Sequence, residues 1–345
     1  MNAKMDTKKC RVLSVGHAGT LAGENAGDTD SLLSIVEQVT KEDRIRGSAD
    51  DYHNLAVTFT REYDDYVSGF EIVVKGLQYY PNNVDLLADA IFYGSNAGKS
   101  AECETYLSEL EAIPTVFWNW RAYSFSIDYL LQKVDWGEQL TPEDLLHLTD
   151  KALRYAQFEQ VALSGEAEVE RGYLAEHKIR SVRERYYRLM AKSQNSEKDS
   201  EKYIVQAEEE REAAEEVLKR AINDGGFAAT GCCLKLADMY FESKKYEDTI
   251  VVCRKALSSP QSQPSARLGY FLYLMAMSED ALLYEKNLLG DKDRVQDCYR
   301  DYVGAFRRNS GSRTYRDNIL DRLAILEARS GIPAPSFEVK PATFG

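Results

Sequence analysis

The segment Gly94-Ser95-Asn96-Ala97-Gly98-Lys99-Ser100 is the most tempting hint of chemistry in the sequence, since a Gly-rich stretch closed by Gly-Lys-Ser can wrap a nucleotide phosphate. That job needs four residues between the glycines, so that successive backbone N–H groups converge on one phosphate, and here there are three. No hydrophobic strand ending in a magnesium-binding aspartate follows, so the segment reads as a Gly-Lys turn between two helices. The histidines His17, His53, His147 and His177 are far apart, and none has a second ligand at helical spacing, so no zinc site is expected. Cys103 and Cys253 read as small core residues, because neither has a histidine nearby in sequence to activate it. Adjacent Cys232 and Cys233 should point in different directions on a helix, which argues against a paired function. Serine-hydrolase signatures of the G-x-S-x-G type are missing. These residues together predict a protein that is not an enzyme and that carries no cofactor.

Composition describes a soluble, folded, acidic protein. The 345 residues are 44% hydrophobic and 29% charged, enough apolar content for a core and too mixed in charge for a disordered chain. Acidic residues outnumber basic ones by 56 to 43, a formal net charge of −13 that would repel a phosphate backbone unless a basic patch is hidden in the average. The six cysteines are scattered and form no C-x-x-C pair, which favours free thiols in a reducing compartment. Apolar runs fall short of a membrane span, and the stretch after Lys4, Lys8 and Lys9 is too short for a signal peptide, so a cytoplasmic location is expected.

Charge is unevenly placed. Between Arg171 and Lys192 seven basic residues accompany two acidic ones, and between Glu197 and Glu216 nine acidic residues accompany three basic ones. If the two segments pair as antiparallel helices, each offsets the other. Alternatively Arg180, Arg183, Arg185 and Arg188 form a basic surface for nucleic acid, with Tyr186 and Tyr187 as stacking platforms. A weaker basic stretch lies at Arg300, Arg307, Arg308, Arg313 and Arg316.

The elements that must position these groups are helices. Between Asp30 and Arg329 the prolines are Pro81, Pro114, Pro142, Pro260 and Pro264, each where a helix should start or stop, and hairpin-turn strand patterns are absent. Pro81 and Pro114 lie 33 residues apart and close segments of similar pattern. The clearest unit runs from Leu236 to Pro260, with Leu236, Ala237, Tyr240, Tyr246, Thr249, Cys253 and Ala256 in a spacing that resembles the tetratricopeptide repeat (TPR). Two weaker units follow the same pattern: Tyr52, Leu55, Ala56, Phe59, Tyr66, Gly69, Val73, Gly76 and Pro81, then Leu87, Ala90, Gly98-Lys99, Cys103, Leu107 and Leu110. A further unit opens at Trp120, Tyr123, Ser124 and Ile127, with its second helix displaced by a longer loop through Trp136 and Gly137.

The expected fold is therefore all-α, a TPR-like α-α superhelix of stacked antiparallel hairpins with an oversized central hairpin. Its parts would be a flexible or extended arm over 1–28, a first TPR-like block over 29–160, a long charged hairpin over 161–225, a second block with a capping helix over 226–330, and a tail over 331–345. Each repeat alone cannot bury its apolar face, so stacked neighbours share one core. The resemblance implies a peptide-binding groove lined by the first helix of each repeat. Its slots would hold His53, Val57 and Arg61, then Ala88, Phe92 and Ser95, then Arg121, Phe125 and Asp128, and in the second block Leu234, Asp238 and Phe241. The Lys and Asn pattern with which some TPR proteins grip a chaperone C-terminus is not reproduced. The implied activity is that of a scaffold or adaptor binding another protein, in the manner of a regulatory subunit, with nucleic-acid association as the alternative. Residues 1–28 could also fold into a groove as a regulatory arm.

Overall fold

The computed structural model describes residues 48–136, 141–164, 169–194, 196–224, 229–258, 265–308 and 313–335. The arm over 1–28, with His17 and Cys10, and the tail beyond 335 lie outside them. The described residues form thirteen α-helices and no strand. They are α1 (Ala49–Tyr63), α2 (Tyr66–Tyr79), α3 (Val84–Asn96), α4 (Ser100–Glu111), α5 (Trp120–Trp136) and α6 (Pro142–Ala162), then α7 (Val169–Ser193), α8 (Glu197–Asp224), α9 (Thr230–Glu242), α10 (Tyr246–Leu257), α11 (Ser265–Glu285), α12 (Lys292–Arg308) and α13 (Arg313–Ser330). A 3-10 turn at Thr115–Phe117 precedes α5. The chain divides into two compact units, Met1–Ser164 and Gly165–Gly345, and the long α7–α8 hairpin falls in the second.

Within each unit helices pack on their sequence neighbours as a helical repeat requires. In the first, α1 pairs with α2, α3 with α4 and α5 with α6, while α1 also meets α3 and α3 meets α5. In the second, α7 pairs with α8, α9 with α10 and α11 with α12, with α9 also meeting α7 and α11, and α13 closing on α12. No helix among the described residues is long and apolar enough to cross a membrane.

Local sequence explains where the helices begin and end. The Asn83 side chain accepts the Leu86 N–H at 2.9 Å to cap α3, and Thr141 and Asp144 cap each other ahead of Pro142, whose missing N–H is harmless in a first turn. The Gly94–Ser100 segment is a helix stop: Gly98 takes φ +72°, its N–H reaches the Ser95 carbonyl, and the Lys99 N–H reaches the Gly94 carbonyl at 2.8 Å. Its backbone donors are thus used to end α3 and are not free to cradle a phosphate. The same turn recurs at Lys244 after α9 and at Asn287 after α11, each with positive φ and the same pair of backbone hydrogen bonds. The same closure ends the opening helix of three hairpins, which is compatible with a helical repeat.

Small residues let the helices approach. A Cβ on Gly94 would stand 2.7 Å from Cys103 Sγ and 2.9 Å from Phe70 Cε2, and one on Gly76 would meet Tyr52. The five described cysteines are free and buried, and burial pushes the Cys103 and Cys253 thiols up to about 12, so they pack as small apolar groups. In the second unit, α9 begins without a capping side chain of its own. The Glu170 carboxylate on α7 accepts the Gly231 and Cys232 N–H groups at 2.5 and 3.0 Å, and so fixes the start of α9 to the long hairpin.

Candidate partner-binding face

In the first unit the helices that open each hairpin, α1, α3 and α5, bring four of the sequence-chosen residues into direct contact. Register begins with the caps. Asp51 accepts the Ser48 backbone N–H at 2.7 Å and starts α1, which places His53 on the side facing α3. Asn119 does two things at once: its Oδ1 accepts the Ala122 N–H to start α5, and its Nδ2 donates to Asp85 Oδ1 at 2.6 Å, tying α5 to α3.

Around that tie lies a polar network across three helices. His53 Nδ1 sits 2.6 Å from Oδ2 of Asp89, a residue only 1% exposed, and Arg121 Nη1 lies 2.9 and 3.0 Å from the two ring nitrogens of His53. The Asp89 carboxylate accepts from Nδ1, while Arg121 Nη1, nearly equidistant from the two ring nitrogens, lies against the imidazole rather than in line with either one. Arg121 Nη2 also pairs with Asp85 Oδ1 at 2.9 Å. Two carboxylates, one guanidinium, one imidazole and one amide therefore satisfy one another, which a half-buried polar cluster must do to avoid the cost of unpaired groups. Burial first and the nearby Asp89 second push the Tyr93 phenol up to about 12, so it stays neutral beside the network.

One turn further along α3 and α5 the surface becomes aromatic. Phe92 and Phe125 stack with ring centroids 4.6 Å apart and planes 25° apart, and both are half-buried. Tyr66 meets Phe92 edge-on at 6.2 Å, and Trp120 meets Phe125 edge-on at 6.1 Å. Arg61 is exposed at the end of α1, and Asp128 is exposed one turn beyond Phe125. The result is a strip of rings bordered by charge.

Two of the expected groove slots are not on this surface. Ala88 and Ser95 are buried, and the Ser95 hydroxyl donates to the Phe92 carbonyl at 2.9 Å. Helix α3 is covered by α1, α2, α4 and α5, so little more than Phe92 emerges from it. Asp85, Asp89 and Asn119, which the spacing argument passed over, belong to the site, as do Tyr66 and Trp120, which it matched to the repeat but not to the groove. Asp85 and Asp89 stand one turn apart on a helix without Lys or Arg, a sign that their counter-ions come from elsewhere.

The corresponding positions of the second unit are tied up internally. Asp238 accepts the Tyr270 hydroxyl at 2.9 Å, and burial raises its carboxyl above the ordinary range; Phe241 packs edge-on against Tyr246 at 5.7 Å. The basic helix is neutralised as the antiparallel pairing requires. Arg180 bridges Glu176 and Glu210 at 2.8 and 3.2 Å, buried Arg183 reaches Glu210 at 3.3 Å, and Arg188 joins Glu184 and Glu208 at 2.9 and 2.8 Å. Arg185 is exposed. Tyr187 stacks on Tyr203 of α8, so it is occupied within the hairpin. Three of the four arginines proposed for a nucleic-acid surface are thus engaged by the acidic partner helix.

No protein-family model matches the chain, and no curated protein matches it either, so the arrangement of these side chains is what the function must be argued from.

Proposed function

We propose that this protein is a TPR-like, non-enzymatic scaffold of the cytoplasm that binds a partner polypeptide across the α1–α3–α5 face, in the manner of a regulatory subunit. The observation that carries the reading is the stacked, half-buried Phe92–Phe125 pair beside the His53–Asp89–Arg121–Asp85 network. Aromatic side chains in a shallow, rigid setting are the usual anchors of a protein interface, because they bury much area at little entropic cost. The polar network beside them fixes the spacing of three helices, so the face is preorganised before any partner arrives. The His53 ring is already held by Asp89 and Arg121, and the nearby Ser95 hydroxyl and Cys103 thiol donate to backbone carbonyls, an arrangement that suits positioning better than group transfer.

The test is comparative capture. Tagged wild-type protein and the Phe92→Ala/Phe125→Ala double variant are used as bait under identical conditions, with thermal unfolding confirming that the variant folds. A stoichiometric partner recovered by the wild type and lost by the variant is expected. Recovery of the same set by both would refute this face as the binding surface.

A further inference from the structure

The net charge of the protein is concentrated in one of its two units. Residues 48–164 contain nineteen acidic and seven basic residues, a balance of −12 out of the whole −13, whereas residues 165–345 are almost neutral, with thirty acidic against twenty-nine basic. The three helices of the aromatic face share in the excess: α1, α3 and α5 carry seven Asp and Glu residues against Arg61, Arg121 and Lys133. Arg121, one turn before Phe125 on α5, is already held by Asp85 at 2.9 Å. The stacked rings thus sit on the strongly acidic unit, with the exposed Asp128 one turn beyond Phe125.

We infer that the occupant of the α1–α3–α5 face is a cationic peptide segment, with arginine or lysine side chains stacked on Phe92 and Phe125 and apolar residues between them. This rests on the reading of that face as the binding surface and adds the chemistry of the partner. A guanidinium over an aromatic face is attracted by the ring quadrupole, and its stem covers the apolar edge of the ring. The unit's field draws cations toward the face and repels acidic or phosphorylated segments, which raises the association rate and rejects wrong partners. Asp128 lies exposed one turn beyond Phe125 on α5.

The full chain is titrated into three fluorescein-labelled 12-residue peptides that share leucine at every third position and differ in carrying arginine, glutamine or glutamate elsewhere. The arginine peptide is expected to bind at least about tenfold tighter than the glutamine peptide, a difference of about 1.4 kcal/mol. Its affinity should fall several-fold between low and moderate salt, and the glutamate peptide should not bind. Phe92→Leu, which keeps an apolar side chain but removes the π face, should weaken the arginine peptide several-fold and leave the glutamine peptide unchanged. Phe241→Leu in the second unit should change neither.

Equal binding of the arginine and glutamine peptides, both lost in Phe92→Ala/Phe125→Ala, would overturn the cationic inference while leaving the face as the binding surface. Arginine-peptide binding that survives the double substitution would overturn the inference and the choice of face together. Failure of all three peptides to bind would overturn the inference, with the capture experiment still deciding the scaffold reading.

Discussion

Replacing Glu279 by Gln should stabilise the protein at alkaline pH and leave it unchanged at acid pH. Glu279 lies on α11 and lines a cavity of about 400 Å³ shared with residues of α10 and α12, including Ile250, Arg254, Arg294 and Asp297. Its Oε1 accepts from Arg254 at 3.3 Å, while its buried Oε2 has no hydrogen-bond partner. Burial first and the Asp301 carboxylate second push the Glu279 carboxyl from 4.5 up to about 7, against the opposing pull of Arg254. The folded state therefore holds this proton to higher pH than the unfolded chain does. The stability linked to it is fully present below about 4.5 and is lost as pH rises through about 7. A difference of that size corresponds to roughly 3 kcal/mol, which solvent at the cavity mouth trims to about 2 kcal/mol. Gln is neutral at every pH and leaves the same unpartnered position, so the comparison isolates the charge. Urea unfolding followed by circular dichroism between pH 4.5 and 8.5 should show no difference at the acid end and a gain of about 2 kcal/mol for Glu279→Gln at the alkaline end. A pH-independent difference, or a variant less stable than wild type at pH 8, would refute the reasoning.

Further substitutions probe the helix turns, the close helix contacts and the buried charge. Gly98→Ala should cost about 1 kcal/mol although a Cβ there meets nothing within 4 Å, since the φ of +72° is the whole obstacle; Lys244→Gly, at the same turn of another hairpin, should gain a similar amount in thermal unfolding. Gly94→Ala should destabilise by about 1–2 kcal/mol despite its better helix propensity, because its Cβ would press on Cys103 Sγ and Phe70, and adding Cys103→Ala should restore part of the loss. Glu176→Ala should cost about 2–3 kcal/mol in urea unfolding, since this carboxylate, 1% exposed, accepts Arg180 at 2.8 Å and Arg220 at 3.1 Å, while Glu212→Ala on the exposed side of α8 should cost little.

Much of the architecture was legible because helices announce themselves locally. Pro142 with Thr141 before it, the 33-residue spacing of Pro81 and Pro114, and the long polar segments either side of residues 193–196 set helix limits through backbone chemistry that needs no tertiary information. The Gly-Lys turn was equally legible, since one missing residue in its spacing is a local property. The candidate face was legible only in part. Repeat spacing put His53, Phe92, Arg121 and Phe125 on the opening helices of their hairpins, but it could not foresee that Ala88 and Ser95 would be covered by neighbouring helices. Nor could it foresee that Asp85, Asp89 and Asn119 would complete the polar network. Those residues are 34 to 36 positions from their partners, a separation over which no periodicity within a helix carries information.

The sequence by itself determined the all-helical class, the positions of the long hairpin helices and the placing of nearly all the net negative charge in residues 48–164, because each depends on neighbours a turn or less away or on simple counting. Only the tertiary structure decided what the charges and rings do. It matched Arg180, Arg183 and Arg188 to carboxylates of the facing helix, and so used up most of the basic stripe. It also set Phe92 against Phe125 across two helices that are separate in sequence. Charge pairing and ring stacking act over a few ångströms of space, and helix packing alone fixes which distant residues come that close.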